Sequence, residues 1–182
     1  MLRFSLFGYS VRVEWFFWIL CLILGSRHLQ GPDPAGGLIK LLIITAVVFG
    51  SILFHELGHA WARKRSGAPY SDIVLHGFGG YCTGPGPLAS LLLGGITMIL
   101  AQTGIFSSEL LKVLLFWLLW VNIGWALLTL LPIYPLDGGQ IFAGIAGPKY
   151  QRIVLWIGVL LPVAIAVLGA LNGPQYFLVI MF

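Results

Sequence analysis

The residues richest in chemistry are His55, Glu56 and His59, set in the run Phe54-His55-Glu56-Leu57-Gly58-His59-Ala60. If that run is helical, the two histidines lie one turn apart on one face, and both imidazoles reach a single ion. Glu56 adjoins the first of them and can aim its carboxylate at a water on that ion. Zinc lowers the pKa of such a water to about 7, and the carboxylate takes its proton as attack begins. The chemistry indicated is metal-assisted hydrolysis. A catalytic zinc takes three protein ligands and keeps a fourth position open, so one ligand is still to be found. His28 and His76 are poorly placed in the sequence for that role, though His76, in the hairpin, could approach. Asp137 is the better candidate, as the one carboxylate between Glu109 and the C-terminus, in a Pro-bounded, Gly-followed break. The residues themselves leave it open between a ligand donated from a second helix and an ordinary Asp-Gly turn.

The elements that must position these groups are apolar. The chain has 182 residues, 59% hydrophobic and 9% charged, with a mean hydropathy of +0.97. A soluble domain carries about 25% charged residues, so lipid must be the solvent for much of this surface. His55, Glu56 and His59 then fall near the end of an apolar span, where each ionisable group costs about 2.5–3.5 kcal/mol on insertion scales. A shared metal is the natural compensation.

A helix needs about 20 residues to cross a bilayer. Residues 38–62, 87–104 and 110–131 are read as core spans, with 13–29 and 153–171 flanking them. Residues 31–37 are turn chemistry, and the break from Pro132 to Gly139 is not expected to be regular helix. Arg3 to Arg12 alternates loosely and suits a short surface strand. Tyr70 to Thr83, with β-branched and aromatic residues broken by glycines, reads as a hairpin or re-entrant loop. Pro174 to Phe182 is too short to cross. The fold class expected is an all-α polytopic membrane protein, a bundle of about five to six transmembrane segments with a small β-hairpin on its cytoplasmic side. Residues 1–182 form one domain in this reading.

The net charge of +4 does not point to nucleic acid, because the basic residues form no face with interleaved aromatics. They sit between apolar runs. With a cytoplasmic N-terminus, Arg3, Arg12, Arg63, Lys64, Arg65, Lys149 and Arg152 lie inside, while Arg27, Lys40 and Lys112 lie outside. That bias orients the chain. The N-terminus has no cleavage-site pattern, so a removable signal peptide is not expected. Cys21 and Cys82 have no ligand or disulfide spacing and read as packing residues, and the tryptophans read as interfacial anchors.

The two motifs, His55-Glu56-Leu57-Gly58-His59 within a span and Leu131-Pro132-Ile133-Tyr134-Pro135-Leu136-Asp137-Gly138-Gly139 after another, resemble the site-2 protease family of intramembrane metalloproteases. The leader Phe4 to Trp18, Gly79-Gly80 and Gly86-Pro87-Leu88-Ala89 also resemble family elements. The resemblance implies one zinc per chain held by His55, His59 and Asp137, with Glu56 as base. It implies three core transmembrane helices and cleavage of transmembrane or membrane-proximal segments of membrane-protein substrates, commonly as the second cut of regulated proteolysis.

Two positions depart from the family pattern. Ser90 and Thr129 stand where relatives often carry asparagines thought to bind the substrate backbone or the developing oxyanion. Hydroxyls there can still donate one hydrogen bond each, with a shorter reach. A relative that binds zinc without turnover is therefore the rival expectation. A channel or transporter would show polar positions repeated between the two halves of the chain, and none is seen.

Overall fold

A computed structural model of the chain describes residues 1–67, 72–76, 79–81, 87–133 and 136–172. Cys82, Tyr134, Pro135, most of the glycine-rich run 77–86 and the tail 174–182 lie outside them. The chain divides into two compact units, Met1–Leu127 and Leu128–Phe182.

The first unit opens with a hairpin rather than the one loose strand expected. Strands β1 (Leu2–Leu6) and β2 (Tyr9–Val13) pair antiparallel around Phe7 and Gly8. Both turn residues have positive φ, 52° and 84°, the twist that a two-residue hairpin turn needs. Strand β2 then pairs in parallel with β3 (Ile73–His76), with Val11 opposite Ile73 and Val13 opposite Leu75. Strand β4 (Gly79–Tyr81) pairs antiparallel with β3. The expected small hairpin at Tyr70 to Thr83 is thus one half of a four-stranded sheet, ordered β1-β2-β3-β4. Alternation decides its buried face: Val11, Val13, Ile73 and Leu75 are fully buried, while Ser10 and Arg12 are not.

Helix α1 (Trp15–Leu29) follows β2 directly and packs along α2 (Pro34–Arg65). Residues 31–37 do not all form the expected turn. Pro34 fits the first helical position, and the Asp33 carboxylate accepts from Gly36 N at 3.0 Å, so α2 starts four residues early. Its 32 residues extend about 48 Å, well beyond a hydrocarbon core of about 30 Å. Arg63, Lys64 and Arg65 complement the carbonyl end of the helix dipole, and the helix stops at Ser66 and Gly67. Phe17 and Cys21 of α1 join Ile44, Val48 and Ile52 of α2 and the inner face of the sheet in one apolar core.

Helix α3 (Pro87–Ala101) packs on α2, as does α4 (Glu109–Leu119). Ser108 caps α4, its hydroxyl accepting from Leu111 N. Beyond α4 the helix widens into a π-helical segment, Trp120–Trp125, before α5 (Ala126–Thr129). Among the described residues, two helical stretches are long and apolar enough to cross a membrane, Pro34–Arg65 and Glu109–Thr129. Helices α1 and α3, at 15 residues each, are shorter than a full crossing needs. Large apolar side chains such as Leu38, Leu42, Ile99 and Phe116 face outward, as a lipid-solvated surface requires.

In the second unit, helix α6 (Asp137–Ala146) begins at the aspartate itself. The break expected from Pro132 to Gly139 therefore ends three residues sooner than its glycines suggested. Close packing explains why. A Cβ on Gly138 would collide with the carbonyl oxygens of Leu130 and Leu131, so only glycine lets the start of α6 lie against the end of the preceding helix. A short 3₁₀ turn, Pro148–Tyr150, leads into α7 (Gln151–Asn172).

Candidate metal centre

His55, Glu56 and His59 are buried in the C-terminal half of α2, at 4%, 3% and 1% exposure. Helical periodicity alone stacks the imidazoles, whose ring centres lie 4.8 Å apart at 71°. Their Nε2 atoms face each other at 3.1 Å. Two nitrogens bound tetrahedrally to one zinc at about 2.05 Å would be about 3.3 Å apart, so the pair is already spaced for a single ion. One carboxylate oxygen of Glu56 belongs to the same cluster, in which the ligand atoms all lie within 4.8 Å of one another.

Helix α3 supplies what the sequence placed elsewhere. Ser90, 3% exposed, brings its Oγ to 2.9 Å from Nδ1 of His55. If Nδ1–H donates to that oxygen, the lone pair of Nε2 points toward the cluster, which is the tautomer a metal needs. The sequence suggested Ser90 for the substrate; the structure puts its hydroxyl on a histidine. The first unit thus joins His55, Glu56, His59 and Ser90.

Asp137 and Thr129 belong to the second unit. Asp137 is half-buried at the first position of α6, behind Leu136, whose N–H donates to Ile133 O at 2.7 Å. Thr129 is buried at the end of α5. Ser51 escaped the sequence reading altogether. Its one available signal was position, four residues before His55 on the face that carries both histidines. Asn122 sits in the π-helical segment, where its Nδ2 donates to Ser51 Oγ at 2.8 Å.

A histidine pair with an adjoining glutamate, buried in a helix long and apolar enough to cross a membrane, is a group that could hold one metal ion. The comparisons agree. The chain is 30% identical to the putative zinc metalloprotease Rip3 of Mycobacterium tuberculosis over 91% of its own length and 52% of that protein's. It is 30% identical to the putative zinc metalloprotease sll0528 of Synechocystis, over 92% of the chain and 52% of that protein. It is 29% identical to the zinc metalloprotease MJ0392 of Methanocaldococcus jannaschii, over 59% and 35%. The chain thus spans about half the length, or less, of these relatives. In fold it is similar to the site-2 protease from Methanocaldococcus jannaschii, with a TM-score of 0.69 at 24% identity over 99% of the chain and 90% of that structure. No family model matches the chain. The chain is thus similar in sequence to zinc metalloproteases and in fold to a site-2 protease.

Proposed function

We propose that the protein is a zinc-dependent intramembrane endopeptidase that cleaves transmembrane or membrane-proximal segments of membrane-protein substrates. The observation that carries this reading is the 3.1 Å approach of the two buried Nε2 atoms beside Glu56. Three ionisable groups in one apolar helix are costly there, and a shared cation is what makes such a cluster stable.

In this reading His55, His59 and Asp137 hold one zinc, with Ser90 fixing the tautomer of His55. When bound, zinc supplies Lewis acidity, polarising a peptide carbonyl and making water nucleophilic near neutral pH. Glu56 takes a proton from the attacking water as its oxygen bonds to the carbonyl carbon. The same carboxyl then returns the proton to the amide nitrogen as the C–N bond breaks, leaving a free amine and a carboxylate. Burial keeps Glu56 clear of bulk water. Thr129 positions the scissile segment. The N-terminus and the opening of the site face the cytoplasm, in keeping with the bias of the basic residues.

The engagement of the Ser90 hydroxyl by His55 favours one second reading. If that hydroxyl serves only the imidazole, an oxyanion donor is missing, a loss of about 2.7–4 kcal/mol in barrier. The protein would then bind zinc and a membrane partner without turning it over.

Zinc content and cleavage of a model transmembrane substrate, measured together in detergent, separate these readings. The expected result is one zinc per chain, lost in Asp137→Ala, and retained without cleavage in Glu56→Gln. Zinc bound at one per chain with no cleavage of any transmembrane segment offered would favour the binding protein. A parent chain that takes up no zinc would defeat both.

A further inference from the structure

One turn inward from the His55–Ser90 contact, the same helices carry a second polar layer. Ser51 precedes His55 by four residues, about 6 Å along the axis of α2, and is 3% exposed. Gly94 follows Ser90 by four residues on α3. A Cβ at Gly94 would lie 2.5 Å from Ile123 Cγ1 and 3.5 Å from the carbonyl carbon of Asn122. Glycine there lets α3 lie directly against the π-helical segment. Asn122 closes the layer and is wholly buried.

The hydrogen bonds of Asn122 are lopsided. Its Nδ2 donates twice, to Ser51 Oγ at 2.8 Å and to Leu118 O at 2.9 Å. Leu118 O is a carbonyl oxygen and can only accept, so it fixes which end of the amide faces it and excludes the flipped orientation. Both amide protons are therefore used. The amide oxygen Oδ1 is buried and has no hydrogen-bond partner among the described residues. An unpaired buried acceptor is costly anywhere.

We propose that the Ser51–Asn122 layer is an internal hydration site, with one water donating to Asn122 Oδ1 and held also by Ser51 Oγ. The chemistry suits that ligand. Water is small enough for a sealed polar layer, it can donate to the amide oxygen, and buried waters bind two to four polar partners. The Ser51 hydroxyl accepts from Nδ2 yet keeps a lone pair and a proton of its own. A π-helical segment is also where a water or side chain commonly interrupts the regular ladder. The consequence for catalysis rests on the endopeptidase reading above. Each hydrolysis consumes a water in the histidine layer, and a water one turn inward is placed to replace it.

Asparagine occurs only at positions 122 and 172. Labelling the full chain with ¹³C,¹⁵N-asparagine in lipid nanodiscs therefore gives two side-chain amide signals, and Asn172→Gln identifies the one from Asn122. The expected result is magnetisation transfer from water to the Asn122 Nδ2 protons, lost in Ser51→Ala and kept in Trp117→Phe. Absence of transfer in the parent chain at every mixing time would overturn the proposal and make Asn122 a dry packing residue. That reading needs neither metal nor substrate. Transfer without cleavage would uphold the hydration site while sinking the endopeptidase reading, and cleavage without transfer would do the reverse.

Discussion

The Oγ of Ser90 lies 2.9 Å from Nδ1 of His55, joining two helices across 35 residues of sequence. That contact orients the imidazole from behind and leaves Nε2 aimed at His59. Outer partners of metal-binding histidines typically carry 10–100-fold in metal affinity.

Ser90→Ala is expected to weaken zinc binding by about 10–100-fold, read by competition with a chelator of known affinity. Ser90→Thr, which keeps the hydroxyl, is expected to restore most of it. Unchanged affinity in the alanine variant would remove Ser90 from any orienting role.

Gly138→Ala is expected to destabilise the second unit by about 1–3 kcal/mol, because the added methyl meets two carbonyl oxygens that belong to backbone. Gly144 lies in the same helix with open space around its Cβ position. Gly144→Ala should gain about 0.5–1 kcal/mol from helix propensity. Unfolding of the two variants in mixed micelles compares them directly, and equal shifts would refute the packing account.

Phe7 holds φ at 52° on the tip of the β1–β2 hairpin and is 80% exposed. A bulky side chain is ill suited to that backbone, which asparagine adopts readily. Phe7→Asn should therefore raise stability by about 0.4–1 kcal/mol, measured as the midpoint of thermal unfolding. A loss instead would mean that the ring makes contacts in the membrane which outweigh the turn.

Arg12 of β2 and Asp72, just before β3, form an ion pair at 2.9 Å, with both side chains substantially exposed. Asp72→Asn should cost less than about 1 kcal/mol, with the difference vanishing in high salt. A larger, salt-independent loss would show that the pair sets strand register.

The histidine pair, the long apolar helices and the break before Asp137 were legible because each is a local property. Four-residue spacing stacks imidazoles in any helix, apolar composition selects lipid in any fold, and proline interrupts a helix wherever it falls. Element ends were less legible. Asp33 and Pro34 overruled the glycines after them and began α2 early, and α6 began at Asp137 because Gly138 packs against carbonyls that only the folded chain brings near.

What the tertiary structure alone decided are the contacts between segments distant in sequence. The parallel pairing of β2 with β3 joins Val11 to Ile73 and turns two separate hairpins into one sheet. Ser90 reaches His55 across 35 residues, and Asn122 reaches Ser51 across 71. Such partners follow no period in the chain, since a serine or asparagine reads alike in sequence whether it faces lipid, substrate or another helix. The sequence determined that a histidine pair able to share one metal ion sits in an apolar helix; helix packing determined which polar side chains stand behind it, because only packing sets which faces of distant segments share a dry interior.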